Sequence, residues 1–183
     1  MVSTLKPPIA FLFPGQGSQK PGMEGNLPSL FPELFEQASE KMGMDVVGFL
    51  HSASADVLAR TEITQPMVFL VSYALFLLMH QKGILPQYAC GHSLGEYTAL
   101  CASGALSFPT ALDLVIARGN YMAKAVPHHR GGMLALIGFS EEEIESLLRD
   151  YAGDGVVEIA NRNSPEQVVL SGDFATLEKI YVE

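Results

Sequence analysis

Gly91-His92-Ser93-Leu94-Gly95 is a G-x-S-x-G pentapeptide, a spacing that suits nucleophilic catalysis by a serine. Its two glycines let the chain turn sharply enough to lift the hydroxyl clear of its neighbours. Tyr88-Ala89-Cys90 before it reads as a brief strand and Leu94 to Ser103 after it as a small-residue helix, the context the motif requires. Ser93 then sits at a helix N-terminus, where backbone N–H groups and the helix dipole favour the negative charge of a tetrahedral intermediate. The Leu94 N–H is the natural first oxyanion donor. A second is expected from the loop after the first strand, Phe13-Pro14-Gly15-Gln16-Gly17-Ser18-Gln19, whose glycines permit close backbone approach. That loop makes a poor dinucleotide-binding turn, because Lys20 stands where a third glycine belongs and no helix starts there.

A serine nucleophile needs a base, and the histidine beside it is a poor one. Adjacent residues at a sharp turn point in different directions, so His92 reads as a structural neighbour. His51 and His80 have no partner motif, and His128 and His129 fall in a loop. These last two lie close to Arg118, Lys124 and Arg130, a cluster that reads as a solvated helix end or as a docking patch for an acidic carrier or a phosphorylated cofactor.

The surrounding elements follow from periodicity and turn residues. Ile9 to Phe13 is an apolar run closed by Pro14-Gly15, Gly15 to Pro32 a loop-rich connection, and Glu33 to Met42 a helix. Thr64-Gln65-Pro66 reads as a helix start with proline in the first turn, followed by apolar residues on nearly every face through Met79. Phe108 to Ala125 is a longer helix opened by Pro109. Alternating strands and helices point to an α/β protein with a parallel sheet. After Pro127 the order becomes β-α-β-β-α: a strand Met133 to Phe139, a helix opened by the capping box Ser140-Glu141-Glu142-Glu143, strands Val156 to Ala160 and Gln167 to Ser171 flanking the turn-forming 161–165, and a helix from Asp173. The expected organisation is residues 1–127 as part of a large domain and 128–183 as a ferredoxin-like unit lacking its last strand, with an open sheet edge.

With 183 residues, 48% hydrophobic and 17% charged, the chain can bury a core. A formal net charge of −9 argues against binding nucleic acid. The N-terminus shows no secretory h-region, and the apolar stretch from Pro66 to Met79 is shorter than a bilayer span needs, so no membrane is expected. Cys90 and Cys101 lack the spacing of a disulfide framework or a metal site. A reducing cytoplasm fits, with no metal and no cofactor.

Phe-Pro-Gly-Gln-Gly-Ser-Gln from Phe13 and Gly-His-Ser-Leu-Gly-Glu-Tyr from Gly91 together resemble the malonyl-CoA:acyl-carrier-protein transacylase family. Thr64-Gln65-Pro66, Ala117-Arg118-Gly119 with Met122, Gly131-Gly132-Met133, and Asn163-Ser164-Pro165 with Gln167-Val168-Val169 stand in the family's order and spacing. The resemblance implies an α/β-hydrolase-like domain with a ferredoxin-like subdomain, acting on malonyl-CoA and a phosphopantetheine-bearing acyl carrier protein in fatty-acid or polyketide synthesis. It places the nucleophile on Ser93, the oxyanion-hole amides on Gln16 and Leu94, and the arginine that pairs with the malonyl carboxylate on Arg118. A planar guanidinium gripping a carboxylate bidentately supports that last role chemically. Gln65 and Met122 are expected to line the acyl pocket. The family's catalytic histidine lies in a V-S-x-P-F-H-S-like stretch that would follow Glu183. The expectation is therefore low activity for this chain alone, with the C-terminal segment supplied by the rest of a longer protein or by a second chain. A serine esterase, which would have no use for Arg118, and a non-catalytic carrier-binding remnant are the alternatives.

Overall fold

The computed structural model describes residues 8–125, 130–151 and 155–182; His128 and His129 of the basic cluster lie outside them, as do Pro127 and the N-terminal stretch read for a leader. The chain divides into two compact units, Met1–Lys124 and Ala125–Glu183.

The first unit holds strands β1 (Ala10–Phe13) and β2 (Tyr88–Gly91) with helices α1 (Leu27–Leu30), α2 (Pro32–Met42), α3 (Val46–Ser52), α4 (Ala55–Leu58), α5 (Thr61–Gln81), α6 (Gly95–Ala102) and α7 (Phe108–Ala125). The two strands pair in parallel, Ala10 opposite Tyr88 and Phe13 opposite Gly91. Both therefore end at one level, and the loop after β1 emerges beside the turn after β2, at the carboxyl edge where α/β sheets build their sites. Parallel pairing with helical connections is the α/β class expected.

Helix α5 is the core of this unit. Its residues from Thr64 to Ser72 are buried without interruption, packed in one cluster with Phe35, Leu50, Leu58, Leu112 and Val115. Phe69 stacks on Phe108 with ring centroids 5.5 Å apart. At 21 residues the helix is long and apolar enough to cross a bilayer, so the length argument made from Pro66–Met79 fails. Burial within the unit is what marks it as a core helix. Its start is also corrected: α5 begins at Thr61, and Pro66 lies inside it. Proline lacks the N–H that would reach back four residues and its ring crowds the carbonyl there, and the entry is held by other bonds. The Thr64 N–H donates to the Arg60 carbonyl at 2.7 Å, the Thr64 hydroxyl donates to the carbonyls of Arg60 and Leu58, and Arg60 Nε donates to Glu62 Oε1 at 2.9 Å.

Three helices went unassigned in the sequence. Helix α1 falls within the segment read as loop; α3 and α4 are short but capped, Asp45 accepting from the Gly48 N–H at 3.0 Å and Ser54 from the Val57 N–H at 3.4 Å.

The second unit contains β3 (Gly131–Ile137), α8 (Glu141–Tyr151), β4 (Val157–Ser164), β5 (Gln167–Asp173) and α9 (Phe174–Val182). Its sheet is antiparallel in the order β3-β5-β4, over a core of Leu136, Ile144, Val168, Leu170, Leu177 and Ile180. The capping box forms: the Ser140 N–H donates to Glu143 Oε2 at 2.7 Å, and the Glu143 N–H donates to Ser140 Oγ at 3.3 Å. β3 starts two residues earlier than expected and stops before Gly138, whose φ is +85°. Asn161 to Ser164, read as turn, belong to β4, which pairs Arg162 with Val168 and Ser164 with Gln167. Two register shifts accommodate these residues, so irregular pairing outweighs their turn preference.

Candidate active site

Ser93 is the one non-glycine with positive φ among the described residues, at +53°. That left-handed turn between β2 and α6 lifts its side chain to an exposed position, and both flanking glycines are required by contact. A β-carbon on Gly91 would lie 2.0 Å from the Gly95 carbonyl carbon, and one on Gly95 would lie 2.1 Å from the Phe13 carbonyl oxygen. The elbow thus closes against the end of β1, where the His92 N–H donates to Phe13 O at 3.1 Å. After it, the Gly95 and Glu96 N–H groups are spent on the carbonyls of His92 and Ser93. Leu94, wholly buried, stands between the serine and α6.

The loop after β1 lies directly on this elbow. A β-carbon on Gly15 would sit 2.8 Å from the His92 carbonyl oxygen and 3.1 Å from His92 Nδ1, so His92 faces this loop. Ser18 Oγ donates to Gly15 O at 2.9 Å, and the Gly17 N–H, at a residue with φ +107°, donates to Gln19 Oε1 at 2.8 Å. Gln16 at its crest reaches the first residue of α5: its Nε2 donates to Thr61 Oγ1 at 3.0 Å.

Arg118 approaches from α7. Its Nη2 donates to Ser93 Oγ at 2.9 Å and its Nη1 donates to Gln65 Oε1 at 2.7 Å. Gln65 is fully buried, and its Nε2 donates to Met122 Sδ at 3.1 Å. The amide is oriented at both ends, so the guanidinium has a fixed plane. Helix α7 comes this close because residue 119 is glycine: a β-carbon there would meet Glu62 Cα at 3.2 Å and Thr61 O at 3.3 Å.

All six residues singled out from the sequence therefore belong to the first unit. Ser93, Arg118, Gln65 and Met122 form one chain of contacts; Leu94 adjoins the serine, and Gln16 lies on the abutting loop. Thr61 was missed, and Gly119 was read only as part of the motif around Arg118, with no role of its own. Each carried a faint signal, Thr61 three residues ahead of Thr64 on what proves to be the same helix, and Gly119 directly after the arginine. Cys101, behind the elbow on α6, is buried, and burial pushes its thiol pKa up to about 11, which makes it a packing residue and not a second nucleophile.

Chemically, the arrangement presents an exposed hydroxyl at a helix N-terminus with a cation beside it. A guanidinium has donors and no acceptor, so Arg118 orients Ser93 Oγ and can hold an anion there without taking the serine proton.

The acyl transferase domain family model matches residues 10–182. The malonyl CoA-acyl carrier protein transacylase of Salmonella typhimurium is 40% identical over 175 residues, which are 93% of this chain and 57% of that protein. The solved structure of the corresponding transacylase from Coxiella burnetii superposes with a TM-score of 0.86 at 42% identity, covering 93% of this chain and 55% of the other. A malonyl-transacylase solved in complex with a type II polyketide-synthase acyl-carrier protein gives a TM-score of 0.87 at 36% identity, over 95% of this chain and 58% of that one. The chain spans a little over half the length of the relatives it matches, and across that span it belongs to the acyl transferase domain family.

Proposed function

We propose that this chain carries the nucleophile half of a malonyl-CoA:acyl-carrier-protein transacylase site. Ser93 Oγ attacks the malonyl thioester carbonyl, its proton passes to a base, the carbon–sulfur bond breaks, and CoA leaves as the thiol with malonyl-Ser93 behind. The phosphopantetheine thiol of the carrier then attacks the ester, and Ser93 recovers its proton. The backbone N–H groups of Gln16 and Leu94 hold the oxyanion at each stage. Arg118 grips the free carboxylate, with Gln65 and Met122 lining the acyl pocket.

The observation that carries this reading is the position of Arg118, 2.9 Å from Ser93 Oγ and held by a buried glutamine. In a malonyl ester the free carboxylate carbon is two bonds of about 1.5 Å from the carbonyl carbon. A cation in contact with the ester oxygen is therefore within reach of that carboxylate, whereas an acetyl group offers it nothing. An esterase acting on neutral acyl groups would gain nothing from a charge placed there.

The base comes from polypeptide equivalent to the rest of the relatives' length, in the same chain or in a second one. Two surfaces support this. Beside β1, Leu12 is 74% exposed and forms an apolar groove with Phe11, Leu75 and Met79, suited to further packing by that polypeptide. In the second unit, the order β3-β5-β4 matches a ferredoxin-like sheet whose fourth strand would pair with the free edge of β3. The reading places the protein in the cytoplasm, in fatty-acid or polyketide synthesis.

Intact-protein mass spectrometry after incubation with malonyl-CoA tests the proposal. A malonyl increment is expected with the complementing segment present, absent in Ser93→Ala and weakened in Arg118→Ala, with little acetyl increment from acetyl-CoA. Equal loading by malonyl and acetyl, unchanged in Arg118→Ala, would refute the carboxylate role. Loading that survives Ser93→Ala would refute the nucleophile.

A further inference from the structure

The first turns of α5 hold both the Gln16 side chain and Arg118, the residue whose guanidinium contacts Ser93 Oγ. The Thr61 hydroxyl accepts the Gln16 side-chain amide at 3.0 Å. The backbone at Thr61 and Glu62 is the surface against which Gly119 seats α7, the helix that carries Arg118. One turn further on, Gln65 Oε1 accepts from Arg118 at 2.7 Å. Among the described residues, the other side-chain hydrogen bonds of the loop bearing Gln16 run within the loop, from Ser18 to Gly15 and from Gly17 to Gln19. These shape the loop but do not tie its crest to another element. Gly15 is fixed by its close approach to His92, yet Gln16 is followed by Gly17 with φ +107°, a residue free to reorient the peptide on either side.

We infer that Thr61 is a positioning residue: its hydroxyl holds the Gln16 side chain and so aims the Gln16 peptide at the space above Ser93. Gln16 offers its backbone N–H to the oxyanion, so its side chain is free to serve as the tether. The glutamine amide donates and the threonine oxygen accepts, leaving the hydroxyl proton for solvent. The inference rests on the acyl-transfer reading for its catalytic consequence, and on the tether alone for its structural one. Losing a hydrogen bond of this kind corresponds to about three- to tenfold in an equilibrium between aimed and misaimed peptides. The effect belongs to the transition state, because an oxyanion hole binds the tetrahedral intermediate better than the thioester.

The test compares wild type, Thr61→Val, Thr61→Ser, Gln16→Ala and the double variant Thr61→Val/Gln16→Ala in the full chain. Hydrogen exchange by mass spectrometry is read on the peptide spanning residues 13–19. The rate of malonyl-Ser93 formation is measured against malonyl-CoA concentration with the complementing segment present. Thr61→Val is expected to speed exchange of the loop several-fold while leaving the interior of α5 unchanged. It should lower the maximal acylation rate by about three- to tenfold with half-saturation within twofold. Thr61→Ser, which keeps the acceptor, should restore both. Gln16→Ala should match Thr61→Val, and the double variant should lose no more than either single one, because both delete the same bond. Unchanged exchange in Thr61→Val would overturn the inference. So would losses that add in the double variant, or a Thr61→Ser as impaired as Thr61→Val. If wild type takes no malonyl group, the functional reading fails by itself, and the exchange comparison still decides the role of Thr61.

Discussion

Replacing Ser93 by glycine and, separately, by alanine separates the backbone of the elbow from its chemistry. Both variants delete the hydroxyl and its 2.9 Å bond from Arg118, so that loss cancels between them. The alanine methyl lands at an exposed position and adds little packing. What remains is the backbone. At φ +53° an L-residue is disfavoured by about 1–2 kcal/mol, a cost glycine escapes. Against this, glycine gives the unfolded chain more freedom, a penalty of about 0.4–1 kcal/mol. The balance favours the glycine variant by about 0.5–1 kcal/mol, which at a urea slope near 2 kcal/mol/M moves the midpoint up by roughly 0.3–0.5 M. Far-ultraviolet circular dichroism, dominated by the helices of the first unit, reads the transition. The sign is diagnostic, because at a position with ordinary φ alanine is the more stable of the pair. An alanine variant that unfolds at the higher urea concentration would refute the left-handed elbow, and with it the account of how Ser93 is presented.

Two further outcomes are expected. Asp173 accepts from the Thr176 N–H at 2.9 Å, the Val156 N–H at 2.7 Å and the Thr176 hydroxyl, and these bonds, the Thr176 N–H first, hold its carboxyl below the usual range. The stability it contributes is therefore complete above the unfolded value of roughly 3.9 and lost as pH falls through the lower folded value. Asp173→Asn should lower the melting temperature of the second unit at neutral pH, with the gap to wild type closing in acid; a gap that persists unchanged in acid would contradict this. A thiol reagent at about pH 8 should label exposed Cys90 and spare Cys101 until the protein unfolds, since burial lifts the Cys101 thiol to about 11. Equally fast labelling of both would show that α6 opens in the native state.

Elements whose signals are local were legible in the sequence. The elbow is one, because strand, glycine spacing and helix lie within a few residues and the backbone contacts of Gly91 and Gly95 are made inside that stretch or to the adjoining β1. The Ser140–Glu143 capping box is another. Where a distant partner decides the outcome, local reading erred. Asn161 to Ser164 have turn chemistry, yet β5 supplies the hydrogen-bonding edge that draws them into β4 with two irregularities. Arg118, Gln65 and Met122 came from family resemblance, and no local pattern announces that Nη1, Oε1, Nε2 and Sδ would meet across 53 and 57 positions of sequence.

The misplaced start of α5 shows what such an error conceals. A helix beginning at Thr64 would put Gln65 in its first turn and leave Thr61 in the preceding loop, with no reason to connect it to Gln16. Beginning at Thr61, the helix places the Thr61 hydroxyl and the Gln65 amide about one turn apart, the first holding the loop after β1 and the second holding Arg118. Pro66 follows immediately and is buried; it has no N–H to offer the Glu62 carbonyl four residues back, beside the backbone on which Gly119 rests. The feature that misled the reading of the boundary thus directly follows the segment that holds both the loop after β1 and Arg118. The buried helix beyond Pro66 keeps that segment in place, and α5 thereby sets the spacing between the loop after β1 and the Arg118 guanidinium.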